Sequence, residues 1–239
     1  MKAFVTGGTG FLGKRVVKRL LERGDSVTIL ARDAAKAEGL AALGAKVVVG
    51  DLEDVAAFRK DVRACDVLFH VGARVETHGD WESFEKSNVI ATEQLIDEAL
   101  DGGAKRVVFV GSLGIFDIPA DGVTITEDSD YDHEPMLRGY YTRSKIDADR
   151  IACMAQRAGK PVVIVRPGQI YGHDNPQAPL FMGRVNKQVG STLVVVSKPS
   201  YLVPICYVEN AADAVVQAAV AEDVDGKIFN VIEIGRAHV

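Results

Sequence analysis

The stretch Thr6-Gly7-Gly8-Thr9-Gly10-Phe11-Leu12-Gly13 limits the folds open to this chain more than any other. It follows a short apolar run, residues 2–6. Behind it Phe11, Leu12, Val16, Val17, Leu20 and Leu21 recur at helical spacing. The glycines therefore stand where a strand turns into a helix. So tight a turn needs backbone freedom, and a helix seated closely on its strand leaves no room for a Cβ. The first helical turn also carries N–H groups with no partner inside the helix, so the turn is a cradle for a phosphate group. Glycine spacing alone is a weak signal. The strand before it, the helix behind it and a second strand at 26–31 supply the context it needs. Thr6, Gly7, Gly10, Phe11, Leu12 and Gly13 are the candidate cradle residues.

The pattern then repeats. Apolar runs at 46–49, 66–71, 105–110 and 161–166 alternate with helical segments at 34–43, 54–60, 81–100 and 140–158. In the 81–100 helix, Val89, Leu95, Ile96 and Ala99 are expected to face inward. Gly24 is placed to end the first helix. Strands alternating with helices predict right-handed crossovers and an α/β fold around a parallel sheet. Strands apolar on both faces predict a sheet covered on both sides. Residues 117–137 read as an acidic loop in which Glu127, Asp128, Asp130 and Asp132 are solvated rather than metal-bound. After Pro167 the rhythm loosens. Residues 171–206 hold Gly, Pro and Asn clusters and an apolar run, Leu193–Val196, before a helix at 209–221 and a strand at 228–232.

Composition narrows the class. The 239 residues carry a net charge of -5, which argues against a nucleic-acid partner or a polybasic membrane surface. No apolar run approaches the roughly 20 residues that span a bilayer, and the N-terminus lacks a secretory apolar region. Three scattered cysteines suggest no disulfide framework, and five scattered histidines show no metal-ligand spacing. The expectation is a cytoplasmic protein without a metal.

Two further sites carry chemistry. After the second strand come Ala31, Arg32 and Asp33. An NAD site usually has an acid here to hold the ribose 2′-hydroxyl. Arg32 instead suits a 2′-phosphate, so NADP is expected over NAD, with Asp33 capping the next helix. Asp51, closing the third strand, is placed either to meet an adenine or to make a local turn with its own backbone. Further on, Tyr141 and Lys145 lie four apart at a helix start, on one face. A Lys ammonium about 5 Å from a phenol, at an effective dielectric near 20, favours phenolate by about 3 kcal/mol. That is about 2 pKa units, enough to bring a tyrosine into working range. Ser112 follows the 105–110 strand, at the carboxyl edge where ligands sit in a parallel sheet; a turn or cap is its alternative role.

With these pieces, the chain resembles the extended short-chain dehydrogenase/reductases, the NAD(P)-dependent epimerase/dehydratase family. The resemblance rests also on Val49-Gly50-Asp51-Leu52, His70-Val71-Gly72-Ala73, Asn88-Val89, Arg166-Pro167-Gly168-Gln169-Ile170-Tyr171-Gly172 and Tyr207-Val208-Glu209-Asn210. With Trp81 it leans to the dihydroflavonol-reductase-like or 3β-hydroxysteroid-dehydrogenase-like branch. It implies a Rossmann-type doubly wound parallel sheet with a small, truncated substrate-binding part. It implies Tyr141 as general acid/base, Lys145 also on the nicotinamide ribose, and Ser112 orienting a substrate carbonyl. It places Asp51, Leu52, Ala73, Pro167, Gly168 and Ile170 around the cofactor. Asn88 either orders the site or lies on a helix surface.

The expected organisation is a nucleotide-binding domain over 1–166, a substrate-binding insertion over 167–208, and a helix and strand returning to the core over 209–232. Residues 233–239 match no element. One back-translation of Glu233-Ile234-Gly235-Arg236-Ala237-His238-Val239 resembles a sequencing-library adapter, so they read as a non-native tail with the natural continuation missing. The resemblance further implies a small-molecule substrate and a homodimer through the helices at 81–100 and 140–158. Three functions compete: an NADP-dependent alcohol/ketone oxidoreductase, an NAD-dependent sugar-nucleotide epimerase or dehydratase, and a non-catalytic NADP-sensing module. Arg74 and His78, after the fourth strand, are further candidates for substrate contact.

Overall fold

The structure, a computed structural model, describes residues 1–76, 78–117, 119, 122–175, 186–189, 192–195 and 204–233. The first half runs β1 (Lys2–Thr6), α1 (Gly13–Glu22), β2 (Ser26–Ala31), α2 (Glu38–Ala42), β3 (Lys46–Val49), α3 (Val55–Arg63) and β4 (Val67–His70). Then come α4 (Trp81–Phe84), α5 (Ala91–Asp101), β5 (Arg106–Val110), α6 (Tyr140–Arg157), β6 (Val162–Pro167) and β7 (Gln169–Tyr171). The remainder is β8 (Asn186–Val189), β9 (Thr192–Val195), β10 (Ile205–Tyr207), α7 (Val208–Val220) and β11 (Ile228–Val231).

Seven strands form one parallel sheet in the order β3-β2-β1-β4-β5-β6-β11. The order reverses between β1 and β4, which opens a crevice at their carboxyl ends. Successive side chains explain the two covered faces. Ala3 and Val5 of β1, with Val108 and Val110 of β5, pack under α1, α2 and α7. Phe4, Val107 and Phe109 pack on the other side against α3, α5 and α6. The fold is thus a Rossmann-type doubly wound α/β sandwich. β7 and β10 make a separate parallel pair, and β8 and β9 an antiparallel one.

Local chemistry sets the element ends. α1 closes where Gly24, at φ +81°, lets its N–H reach Leu21 O while the Asp25 N–H reaches Leu20 O. The helix expected at 34–43 is instead a 3-10 turn, Ala35–Ala37, running into α2; it starts from Ala34 without a side-chain cap, and Asp33, expected as the cap, makes a local turn by accepting the Ala35 N–H at 2.9 Å. The single helix expected at 81–100 is divided by a π-helical segment, Glu85–Ile90, between α4 and α5. The wider turn rotates the face that follows. Ser87 and Asn88 face inward, and Val89 is only half-buried.

The acidic loop is not simply solvated. Asp132 is buried and paired with Arg138 at 2.9 Å, and Glu127 Oε1 accepts the Asn230 N–H of β11 at 2.8 Å. Glu233, counted in the tail from sequence, is bonded in place. Its N–H donates to Ile205 O, and its carboxylate accepts from the Tyr207 N–H and the Asn210 amide. Residues 234–239 lie outside the described residues, as do 196 of the Leu193–Val196 run and most of 171–206. Among the described residues no helix is long and apolar enough to cross a membrane.

Candidate active site

Because the seven strands are parallel, every segment singled out in the sequence falls on one edge. The glycine turn follows β1, Arg32 follows β2, and Gly50-Asp51-Leu52 follows β3. Ala73 and Arg74 follow β4, Ser112 follows β5, and Pro167 to Ile170 close β6 and open β7. Tyr141 joins them through its own helix. Four residues along α6, the Lys145 ammonium donates to Val110 O, the last residue of β5, at 2.9 Å. That bond holds the first turn of α6 at the same edge.

The cradle is built of backbone. Gly7 has φ +67°, and a Cβ on it would lie 2.5 Å from the Gly72 Cα, so the turns after β1 and β4 touch. A Cβ on Gly13 would lie 2.0 Å from Gly7 O, which in turn accepts the Gly10 N–H at 2.9 Å. Only glycine permits this approach. α1 has no acid in its first turn, and Leu12 at its start makes no side-chain cap, so its positive end is left for an anion. Phe11 lies beneath the Arg15 guanidinium at 4.6 Å, and Leu12 is buried. Arg32 is exposed and has no partner among the described residues. These features fit a dinucleotide: free backbone for a pyrophosphate, and an exposed cation just past the end of β2. Asp51 makes the local turn, accepting the Glu53 N–H at 3.1 Å, and stays exposed at the rim. Gly168 is needed for a second close approach, since its Cβ would stand 2.4 Å from Pro204 O.

One polar chain crosses the core beneath the cradle. Thr6 Oγ1 accepts the Gly72 N–H at 3.0 Å and lies 2.8 Å from His70 Nδ1. His70 Nε2 lies 2.9 Å from Thr92 Oγ1, whose own proton goes to Asn88 O at 2.6 Å. The Thr92 oxygen must therefore accept, so His70 carries its proton on Nε2 and accepts the Thr6 hydroxyl on Nδ1. The imidazole is neutral. Burial, helped by the Lys145 charge, pushes its pKa down to about 3. Burial likewise pushes the Lys145 ammonium down to about 8, with Asp149 opposing, so it is charged at neutral pH. Lys145 also lies over the Phe109 ring at 4.8 Å. Thr6 thus works through its hydroxyl inside the protein, toward Gly72 and His70.

Asn88 is not a surface amide; it is 2% exposed. Its Oδ1 accepts the Arg74 N–H at 2.7 Å, and its Nδ2 donates to Arg74 O at 3.0 Å and to Ser144 Oγ at 2.9 Å. Ser144 in turn donates to Tyr141 O at 2.9 Å. One amide therefore ties the loop after β4 to the turn that carries Tyr141. Ser112 takes the cap role: its Oγ accepts the Gly114 N–H at 3.0 Å, which leaves its own proton to donate. Sequence reasoning missed Ser144, Thr92 and the Arg166–Asp149 pair. The available signal was polar residues recurring on apolar helix faces. His78 is exposed.

The family model for the NAD dependent epimerase/dehydratase family matches residues 3–231. A ketoreductase of Stigmatella aurantiaca, named for 4-hydroxy-2-methyl-3-oxo-4-farnesyl-3,4-dihydroquinoline-1-oxide, is 31% identical over 92% of this chain and 64% of its own. A 2-alkyl-3-oxoalkanoate reductase of Shewanella oneidensis is 30% identical over 91% of this chain and 56% of its own. The chain thus spans less than two thirds of either relative. In fold it is similar to the UDP-glucuronic acid 4-epimerase of Bacillus cereus, solved with UDP-glucuronic acid and NAD. The TM-score is 0.81 at 17% identity, covering 99% of this chain and 79% of that one. On the family match and the glycine cradle together, the chain belongs to the NAD dependent epimerase/dehydratase family.

Proposed function

We propose that the chain is the nucleotide-binding part of an NADP-dependent oxidoreductase that interconverts an alcohol and a ketone. The observation that carries this is the Lys145 ammonium, held at the carboxyl end of β5 in the helix that begins beside Tyr141, on the edge where the cradle lies. When bound, the nicotinamide supplies hydride to the carbonyl carbon. Tyr141 gives its phenolic proton to the carbonyl oxygen, and Lys145 lowers the cost of the phenolate left behind. Ser112 donates a hydrogen bond to the same oxygen, keeping its proton, and orients it. Gly7, Gly10, Phe11, Leu12 and Gly13 hold the pyrophosphate, with Thr6 fixing their turn from beneath; Arg32 holds the 2′-phosphate, and Asp51, Leu52 and Ala73 the adenine side. Pro167, Gly168 and Ile170 line the nicotinamide. The names of the two relatives, a ketoreductase and an oxo-acid reductase, support ketone reduction.

The test is a fluorescence titration with NADPH and NADH, for the protein and for Arg32→Ala. The expected result is tighter NADPH binding, weakened about 10- to 100-fold in the variant, the loss of a charge-assisted pair. Tighter NADH binding, unmoved by Arg32→Ala, would overturn the NADP assignment and favour the epimerase reading.

A further inference from the structure

The loop after β4 holds a cation that nothing in the oxidoreductase reading uses. Arg74 has its backbone N–H and C=O both bonded to the Asn88 amide, as a neighbouring strand would bond them. The same amide donates to Ser144, which donates to Tyr141 O. Arg74 and the first turn of α6 are thus fixed to each other through one buried side chain. The guanidinium lies over the Phe84 ring at 5.4 Å, and Phe84 in turn meets Tyr140, ring centres 6.2 Å apart. Gly79, at φ +125°, makes room: a Cβ there would stand 3.2 Å from Arg74 Nη2.

The guanidinium is only partly engaged. Nη2 pairs with Glu76 at 2.6 Å, but that carboxylate is 41% exposed and belongs to the same loop. Nε is buried and has no hydrogen-bond acceptor among the described residues. A buried donor without a partner is costly, and a guanidinium satisfies a carboxylate best with two parallel N–H groups. The geometry points to an incoming carboxylate that takes the place of Glu76. We propose that Arg74 is a specificity-determining residue of the substrate pocket, and that the substrate is a ketone or alcohol bearing a carboxylate. This rests on the oxidoreductase reading for the reacting carbonyl, while the anion site stands on Arg74 itself.

The probes are 3-oxooctanoate and its methyl ester, with NADPH, for the protein, Arg74→Ala, Arg74→Lys and Glu76→Gln. Trp81, the only tryptophan, has its ring 5.9 Å from Tyr140 and reports binding without turnover. The expected result is an acid-over-ester preference in kcat/KM that Arg74→Ala lowers about 10- to 100-fold and Arg74→Lys restores in part. Glu76→Gln, which removes the competing carboxylate, should tighten acid binding several-fold. A merely structural Arg74–Glu76 pair would not give that gain. Equal turnover of acid and ester, or a preference unchanged in Arg74→Ala, overturns the inference and leaves the oxidoreductase reading intact. Acid binding that depends on Arg74 without any turnover upholds the anion site and removes the oxidoreductase reading with the ketone or alcohol assignment that rests on it. Neither turnover nor Arg74-dependent binding removes both.

Discussion

His70 shows how much one side chain can organise. Its ring joins the turn of the cradle, through Thr6, to the π-helical segment, through Thr92. The chain of bonds is complete only while the ring is neutral. The folded pKa, about 3, lies below the ordinary value of 6.5. As pH falls between those values the unfolded chain takes up a proton that the folded ring refuses, so stability is lost across that window. The slope from this residue reaches about 1.4 kcal/mol per pH unit. Urea unfolding from pH 7 to 4 should show it for the protein and not for His70→Gln; equal slopes would mean the ring is protonated in place. The sequence flagged His70 only as part of a motif, because its role depends on two threonines 64 and 22 positions away. The places of Tyr141, Lys145 and Arg32 were legible, in α6 and after β2, because position follows from the order of strands and helices. Ser112 was legible as a place. Its capping bond to the Gly114 N–H is a matter of local backbone that spacing does not encode.

At the scale of elements, strands and most helices could be read from periodicity, since both faces of the sheet are buried and apolar. At both exceptions a polar side chain is bonded to backbone. Asp33 accepts the Ala35 N–H where the segment after β2 opens as a 3-10 turn, and Asn88 sits in a widened turn that an unbroken 3.6-residue repeat would not produce. Glycines differ by their surroundings. A Cβ on Gly7 meets Gly72 backbone at 2.5 Å, with φ +67°, whereas one on Gly39 in α2 meets nothing within 4 Å. Gly39→Ala should raise the unfolding free energy by about 0.4–1 kcal/mol and leave NADPH binding unchanged. Gly7→Ala should weaken NADPH binding and destabilise the fold. Chemical denaturation and the same fluorescence titration check both.

Across the whole molecule, one buried ion pair gathers distant segments. Arg166 of β6 meets Asp149 of α6 at 2.6 Å, with both side chains almost wholly enclosed, and donates to Glu127 O in the acidic loop. Tyr131 adds a bond to Asp149 at 2.9 Å. Asp149→Leu would leave the guanidinium buried and unpaired, at about 3–5 kcal/mol, while Asp149→Leu with Arg166→Met should recover most of it. For a chain of this size each kcal/mol moves Tm by about 2–4 °C, so calorimetry separates the two variants; equal Tm values would overturn the argument. The pair joins residues from α6 and β6 that no sequence motif connects, which is why it was invisible before the fold was known.

The placement of β11 predicts an order of assembly. It pairs beside β6, yet some 60 residues separate the two in the chain, Pro167 from Ile228. Closing so long a loop is slow compared with the nearer crossovers that join β1 to β5. During synthesis β1 to β6 emerge first, and the glycine turn, the His70 chain and Lys145 all lie within them. The outer edge of β6 is then bare, a row of unpaired backbone groups open to another chain. Until β11 arrives, the nascent protein would carry a nearly finished cradle at β1 and β4 and, across β5, an open sheet edge.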